Sequence, residues 1–173
     1  MIEETLSVFI PGKPEPQGST KAFNVPSRYS ASGWRPIVTS DNARLKCWRG
    51  LAVTCIGDSI KPGSCLPVFE KTYAVAVHAE FVFPRLKGHP KSRTPSMLVA
   101  PDLDKLARAL GDVLTVASVV HDDSQISEWT VRKRYAVPGE AAGTHVEVRY
   151  ARQANPGSLG SLELSGLFGE VSA

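Results

Sequence analysis

Cysteine is scarce and poorly spaced for chemistry. The chain has only Cys47, Cys55 and Cys65, with no C-x-x-C pair. That spacing excludes a zinc-ligand set and a disulfide framework, and it fits buried apolar thiols in a reducing compartment. Long hydrophobic runs are missing too. Nothing approaches the roughly 20 apolar residues of a membrane span. The N-terminal Met-Ile-Glu-Glu-Thr-Leu-Ser-Val-Phe-Ile is acidic and stops at Pro11, unlike a signal peptide. The expectation is a cytoplasmic protein with no membrane partner. No internal repeat and no Gly-rich phosphate loop is present. Charge of one sign does not dominate either: a net charge of +3 and a pI near 8.8 permit nucleic-acid binding without requiring it. With 173 residues, the prior is one domain able to bury a normal core.

Glutamate is absent where aspartate is densest. Of seven aspartates, five (Asp102, Asp104, Asp112, Asp122 and Asp123) fall between positions 102 and 123, a window with no Glu. Only Asp41 and Asp58 lie elsewhere. Surface solubility would scatter both acids over the whole length. Asp is also a poor helix and strand former, so this concentration works against local propensity.

The flanking pattern predicts where those acids sit. Residues 6–10 read as a first strand. Residues 11–37, rich in Pro, Gly and Ser and carrying Lys13, Lys21, Arg28 and Arg35, read as a long loop, either nucleic-acid-facing through Phe23, Tyr29 and Trp34 or merely solvated. Ser40 is placed to cap a helix over 41–57, with Leu45, Trp48, Leu51, Ala52, Cys55 and Ile56 as its apolar stripe, ended by Gly57 and Pro62-Gly63. Residues 72–83 alternate as a strand, leaving His78 and Glu80 on its polar face, His78 as a surface residue. Pro84 then opens a loop carrying Arg85, Lys87, Lys91 and Arg93, either a solvated face or a handle for a polyanion. Leu103, Leu106, Ala107, Leu110, Val113 and Leu114 mark an amphipathic helix starting near Asp102. A short strand over 118–121, then strands over 128–135 and 144–151, complete the series. The fold expected is α+β, one mixed β-sheet with packed helices, over residues 1–151, followed by a flexible tail over 152–173.

On the helix, Asp104, Arg108 and Asp112 share one face at i, i+4 and i+8. A following strand running back beside the helix would bring Asp122 and Asp123 near it. Converging carboxylates repel by about 4 kcal/mol per pair at 4 Å and an effective dielectric near 20. A hard divalent cation relieves that repulsion, which points to Mg²⁺ or Mn²⁺ and to phosphoryl chemistry. Capping by Asp102 and a plain turn at 122–124 account for each half alone, but not for the clustering. Lys133 stands in the apolar series Trp129, Val131, Tyr135. A lysine there needs a partner, or serves as protection of an edge strand.

These residues carry a resemblance. Pro101-Asp-Leu-Asp-Lys-Leu-Ala-Arg-Ala-Leu-Gly-Asp-Val-Leu114, Asp122-Asp-Ser-Gln-Ile126, then Lys133 resemble the RusA family pattern P-D-x-D-N-L-x-K-x-x-x-D-x-L, D-D-x-Q-[IV] and a later strand ending in Lys. Ile10-Pro-Gly-Lys-Pro14 before a basic loop is also similar. Strong matching covers about residues 101–134. The resemblance implies a homodimeric, Mg²⁺-dependent endonuclease that nicks four-way (Holliday) DNA junctions symmetrically in recombination and repair, in a bacterial cell or phage-infected host. Its metal ligands map to Asp102, Asp104 and Asp123, with Asp122 an accessory and Asp112 a supporting acid. Arg108 and Lys133 would stabilise charge on the phosphate; Lys13, Lys21, Arg85, Lys87, Lys91, Arg93 and Lys105 would track DNA. The family Asn is Lys105 here and the family Lys is Arg108, whose fork geometry differs. Two alternatives stand: a weakly catalytic branched-DNA-binding protein of the same fold, and a different D-x-D metal-dependent transferase.

Overall fold

The computed structural model describes residues 4–18, 20–40, 42–60 and 73–152. Cys65, Thr72, the Pro62-Gly63 stop and the tail beyond Arg152 lie outside them. In chain order the elements are β1 (Glu4–Pro11), β2 (Thr20–Pro26), β3 (Trp34–Ser40), α1 (Ala43–Ser59), β4 (Tyr73–Phe83), α2 (Leu103–Val116), a 3₁₀ turn (Asp123–Gln125), β5 (Ile126–Tyr135) and β6 (Gly143–Arg152). A four-stranded sheet runs β1-β6-β4-β5, and β2 and β3 form a separate two-stranded ribbon. Strands β1, β6 and β4 are antiparallel neighbours, whereas β4 and β5 are parallel. Parallel strands need a crossover, and α2 supplies it. The α+β class with one mixed sheet and packed helices is as expected.

Both helices cover one face of the sheet. Leu6, Val8 and Ile10 of β1, Val75, Val77, Ala79, Phe81 and Phe83 of β4, and Val146, Val148 and Tyr150 of β6 alternate onto that face. They share one core with Leu45, Trp48, Ala52 and Ile56 of α1 and with Leu106, Ala109, Leu110, Val113 and Leu114 of α2. Where β1 meets β6, Gly143 gives way to the Phe9 ring: an added Cβ would lie 2.3 Å from that ring and 2.7 Å from the Ile10 carbonyl oxygen.

Several expectations are corrected. Residues 11–37 are not a continuous loop, because 20–26 and 34–40 pair as a hairpin. Pro26 and Pro36 hide it in the sequence, yet a two-stranded ribbon has only edges, where proline is tolerated. The cap of α1 is Asn42, whose side chain accepts from the Arg44 N–H at 3.1 Å, rather than Ser40. Its buried stripe is narrower than expected: Leu51 is 42% exposed on its flank, and Cys47, about 200° around the helix from Leu45, is exposed rather than buried. Residues 118–121 are not a strand. Ser118 takes φ 58°, its N–H reaches the Thr115 carbonyl at 3.0 Å, and the Val119 N–H reaches that of Leu114 at 2.9 Å. That is a Schellman ending for α2, and Val119 and Leu114 are both buried in the core.

Strand β4, paired on both sides, is buried on both faces. His78 is accordingly half-buried rather than a surface residue, and Glu80 is buried. The sheet face away from the helices carries charge: Arg134 binds Glu80 at 2.7 Å and Glu140 at 2.6 Å, and Arg132 binds Glu80 at 2.5 Å. These groups line a cavity of about 550 Å³ with Phe9, His78, His145 and Glu147.

Candidate active site

The acidic window frames one flank of α2. Asp102 occupies the N-cap position with extended backbone, but its side chain makes no capping bond. It pairs instead with Lys105 at 3.0 Å, one turn along. Capping therefore does not explain Asp102. Asp104 lies exposed in the first turn, where the helix dipole favours an anion.

Two turns further on, Gly111 faces β5 and the 3₁₀ turn. A Cβ at Gly111 would meet the Trp129 ring at 3.7 Å and the Asp123 Cβ at 3.9 Å. Positions 104, 108 and 111 share a side of the helix, so Asp123 stands on the flank that carries Asp104 and Arg108. Asp123 and Arg108 are exposed, and among the described residues no ion pair or hydrogen bond engages the side chains of Asp104, Arg108 or Asp123. Asp122 holds the turn, accepting from the Ser124 N–H at 3.0 Å.

Asp112 bolts the helices together. It is ion-paired with Arg49 of α1, which also donates to Gln17 at 2.5 Å, and the Gln17 N–H donates to the Lys105 carbonyl at 2.9 Å. That ion pair joins α1 to α2. Half-buried Lys133 pairs with backbone rather than with a carboxylate. Its ammonium donates to the carbonyls of Val99 at 2.8 Å and Pro101 at 2.6 Å, the loop that delivers Asp102, across a cis Ala100–Pro101 bond. That partner was invisible in the sequence, because a carbonyl carries no residue identity.

The cations divide likewise. Lys13, Lys87, Lys91 and Arg93 are exposed, and Lys21 sits on β2 opposite Thr39. Arg85 holds its own loop, donating to Thr94 Oγ1 at 2.7 Å and to the carbonyls of Pro90, Arg93 and Ala136 at 2.6, 3.2 and 3.2 Å. Lys105 is half-buried and tied to Asp102. Sequence reasoning missed the Glu80, Arg132, Arg134, Glu140 cluster. Its signal was a lone carboxylate in an eleven-residue apolar strand, matched by arginines either side of Lys133.

Mg²⁺ asks for hard oxygen donors and keeps several waters, with one or two carboxylates and substrate phosphates completing its shell. Exposed Asp102, Asp104 and Asp123 suit it by chemistry. Among the described residues no group of three or more His, Cys, Asp or Glu side chains is already gathered for an ion. Likewise among them, no helix is long and apolar enough to cross a membrane.

The family described as Endodeoxyribonuclease RusA matches residues 37–149, a span holding both aspartate motifs and Lys133. No curated protein matches the chain. A family match over that span, on a mixed sheet whose crossover helix carries the paired aspartates, places the chain in the RusA family of Holliday junction resolvases, which are endodeoxyribonucleases.

Proposed function

We propose that the chain is a Mg²⁺-dependent endonuclease that resolves four-way DNA junctions by paired nicking, acting as a homodimer in recombination and repair. The observation that carries it is the exposed pair Asp102 and Asp104 at the N-terminus of α2, with Arg108 and Asp123 along the same flank. Asp102, Asp104 and Asp123 would hold the ion. When bound, Mg²⁺ supplies an activated water and neutralises charge at the phosphoryl centre. Arg108 lies one turn from Asp104 and offers a fork of donors to a non-bridging phosphate oxygen. Lys133 fixes the Asp102 loop and keeps one of its three N–H donors for substrate. Two such sites related by a two-fold axis suit a junction of the same symmetry. The cytoplasm of a bacterial or phage-infected cell is the matching compartment.

One observation favours a second reading, a junction-binding protein that cuts poorly. Lys105, standing where relatives have Asn, already neutralises Asp102 and competes with a cation for it. The transferase alternative draws no support from the family match. A synthetic four-way junction with labelled strands and Mg²⁺ separates the two readings. The wild type is expected to nick opposed strands, and Asp104→Asn to bind the junction while cutting at least about a hundredfold more slowly, equivalent to about 3 kcal/mol. Wild-type cutting no faster than Asp104→Asn, with binding intact in both, would establish the second reading instead.

A further inference from the structure

The β2–β3 ribbon belongs to neither the sheet nor the core. Among the described residues it pairs with no other strand, and none of its described side chains joins the core cluster. A lone two-stranded hairpin is marginal in water, yet this one exposes three large aromatics: Phe23 at 50%, Trp34 at 54%, and Tyr29 completely. Trp34 pairs with Pro26 at the far end of the ribbon, and Tyr29 sits in the turn beyond, closed by the Ser27 N–H on the Gly33 carbonyl at 2.8 Å. The strand from Thr20 to Pro26 makes an arm about 20 Å long at about 3.3 Å per residue.

The arm is anchored next to the aspartates. Gln17 is held by the Lys105 carbonyl and by Arg49, and the Asn42 amide donates to Glu15 at 3.1 Å and to the Pro16 carbonyl at 2.9 Å. Its charge is one-sided: residues 16–40 hold Lys21, Arg28 and Arg35 and no Asp or Glu. Cations interleaved with exposed rings are the composition of a stacking platform for bases that lack a partner, since every base has a π-face. A continuous duplex hides those faces, whereas a branch point opens them.

We infer that the ribbon is the branch-sensing arm, with Tyr29 and Trp34 stacking on unpaired bases at the crossover while Arg28 and Arg35 lie along phosphate. This rests on the junction reading above. The test measures dissociation constants for a four-way junction and for linear duplex of the same sequence, in Ca²⁺ so that nothing is cut. Tyr29→Ala/Trp34→Ala should weaken junction binding by about 5- to 150-fold for each stacked base. Duplex affinity, the salt slope and the thermal melt should stay unchanged. Tyr29→Phe/Trp34→Phe, which keeps the rings, should restore junction preference.

An equal loss on both DNAs, or no loss on either, overturns the assignment. So does a shift of the alanine variant from dimer to monomer in DNA-free sedimentation, which would make the ribbon a contact between copies. A wild type with no preference for junction over duplex would sink the junction reading itself, and this inference with it.

Discussion

A lysine on the apolar side of a strand must find oxygen, and Lys133 finds two carbonyls rather than an acid. Hydrogen bonds from a charged donor contribute about 1.5–3 kcal/mol where burial is substantial, and Lys133 is half-buried. Lys133→Met should therefore lower the free energy of urea unfolding by about 1–3 kcal/mol. It should also weaken Mg²⁺ binding measured by calorimetry, because the loop carrying Asp102 loses its tether, while junction affinity changes little. Lys133→Arg should recover part of both. Full stability and unchanged Mg²⁺ affinity in the Met variant, with slower cutting, would mean that Lys133 works on phosphate alone. Arginines show the same limit of residue identity. Arg49, Arg85, Arg108 and Arg134 are alike in sequence, yet Arg49 ties two helices, Arg85 ties a loop and Arg134 ties a sheet face, while Arg108 is exposed and makes no ion pair among the described residues.

Among the elements, period decides what sequence reveals. The alternation of β4 and the leucine spacing of α2 are long enough to fix both elements within a residue or two of their observed bounds. Asp104 lies in the first turn of α2, and Asp123 stands beside Gly111 on the same side of that helix. What sequence does not reveal is whatever depends on the third dimension. Prolines mask the ribbon, a left-handed Ser118 turns two valines from strand to helix stop, and Asp112 finds its arginine 63 positions away. The basic loop after β4 belongs here. Counting its cations suggests four DNA contacts, but Arg85 is already engaged by the loop. Converting Lys87, Lys91 and Arg93 to Gln should therefore lower junction affinity and reduce the slope of log Kobs against log salt by up to about 3, near 0.9 for each phosphate no longer neutralised. Filter binding over a salt series reads that slope, and no change would make the loop a solvated face. Adding Arg85→Gln should mainly destabilise the loop, without a further unit of slope.

At the scale of the molecule, the sheet separates two chemistries: hydrocarbon under the helices and paired charge on the opposite face. That second face makes stability depend on pH with a defined sign. Burial pushes the Glu80 carboxyl up, but Arg134 and Arg132 outweigh it and hold it below its ordinary 4.5. Arg134 does the same for Glu140, below the same 4.5, and both acids keep the arginine more firmly protonated than usual. Burial lowers His78 below its ordinary 6.5, against the opposing pull of Glu147 and Glu80. A depressed histidine stays neutral in the fold, so as pH falls through 6.5 the unfolded chain binds the proton first and stability declines. Depressed carboxylates contribute stability above 4.5 that is lost as pH falls through their lower native values. The urea midpoint should thus be highest above pH 6.5, fall gently below it, and fall steeply below 4.5. Glu80→Gln should flatten the steep limb and His78→Gln the gentle one, each leaving the other in place. A midpoint that stays level down to pH 5 in the wild type would mean that His78 is not held neutral by burial. A steep limb surviving in Glu80→Gln would move the acid sensitivity to carboxylates outside this face.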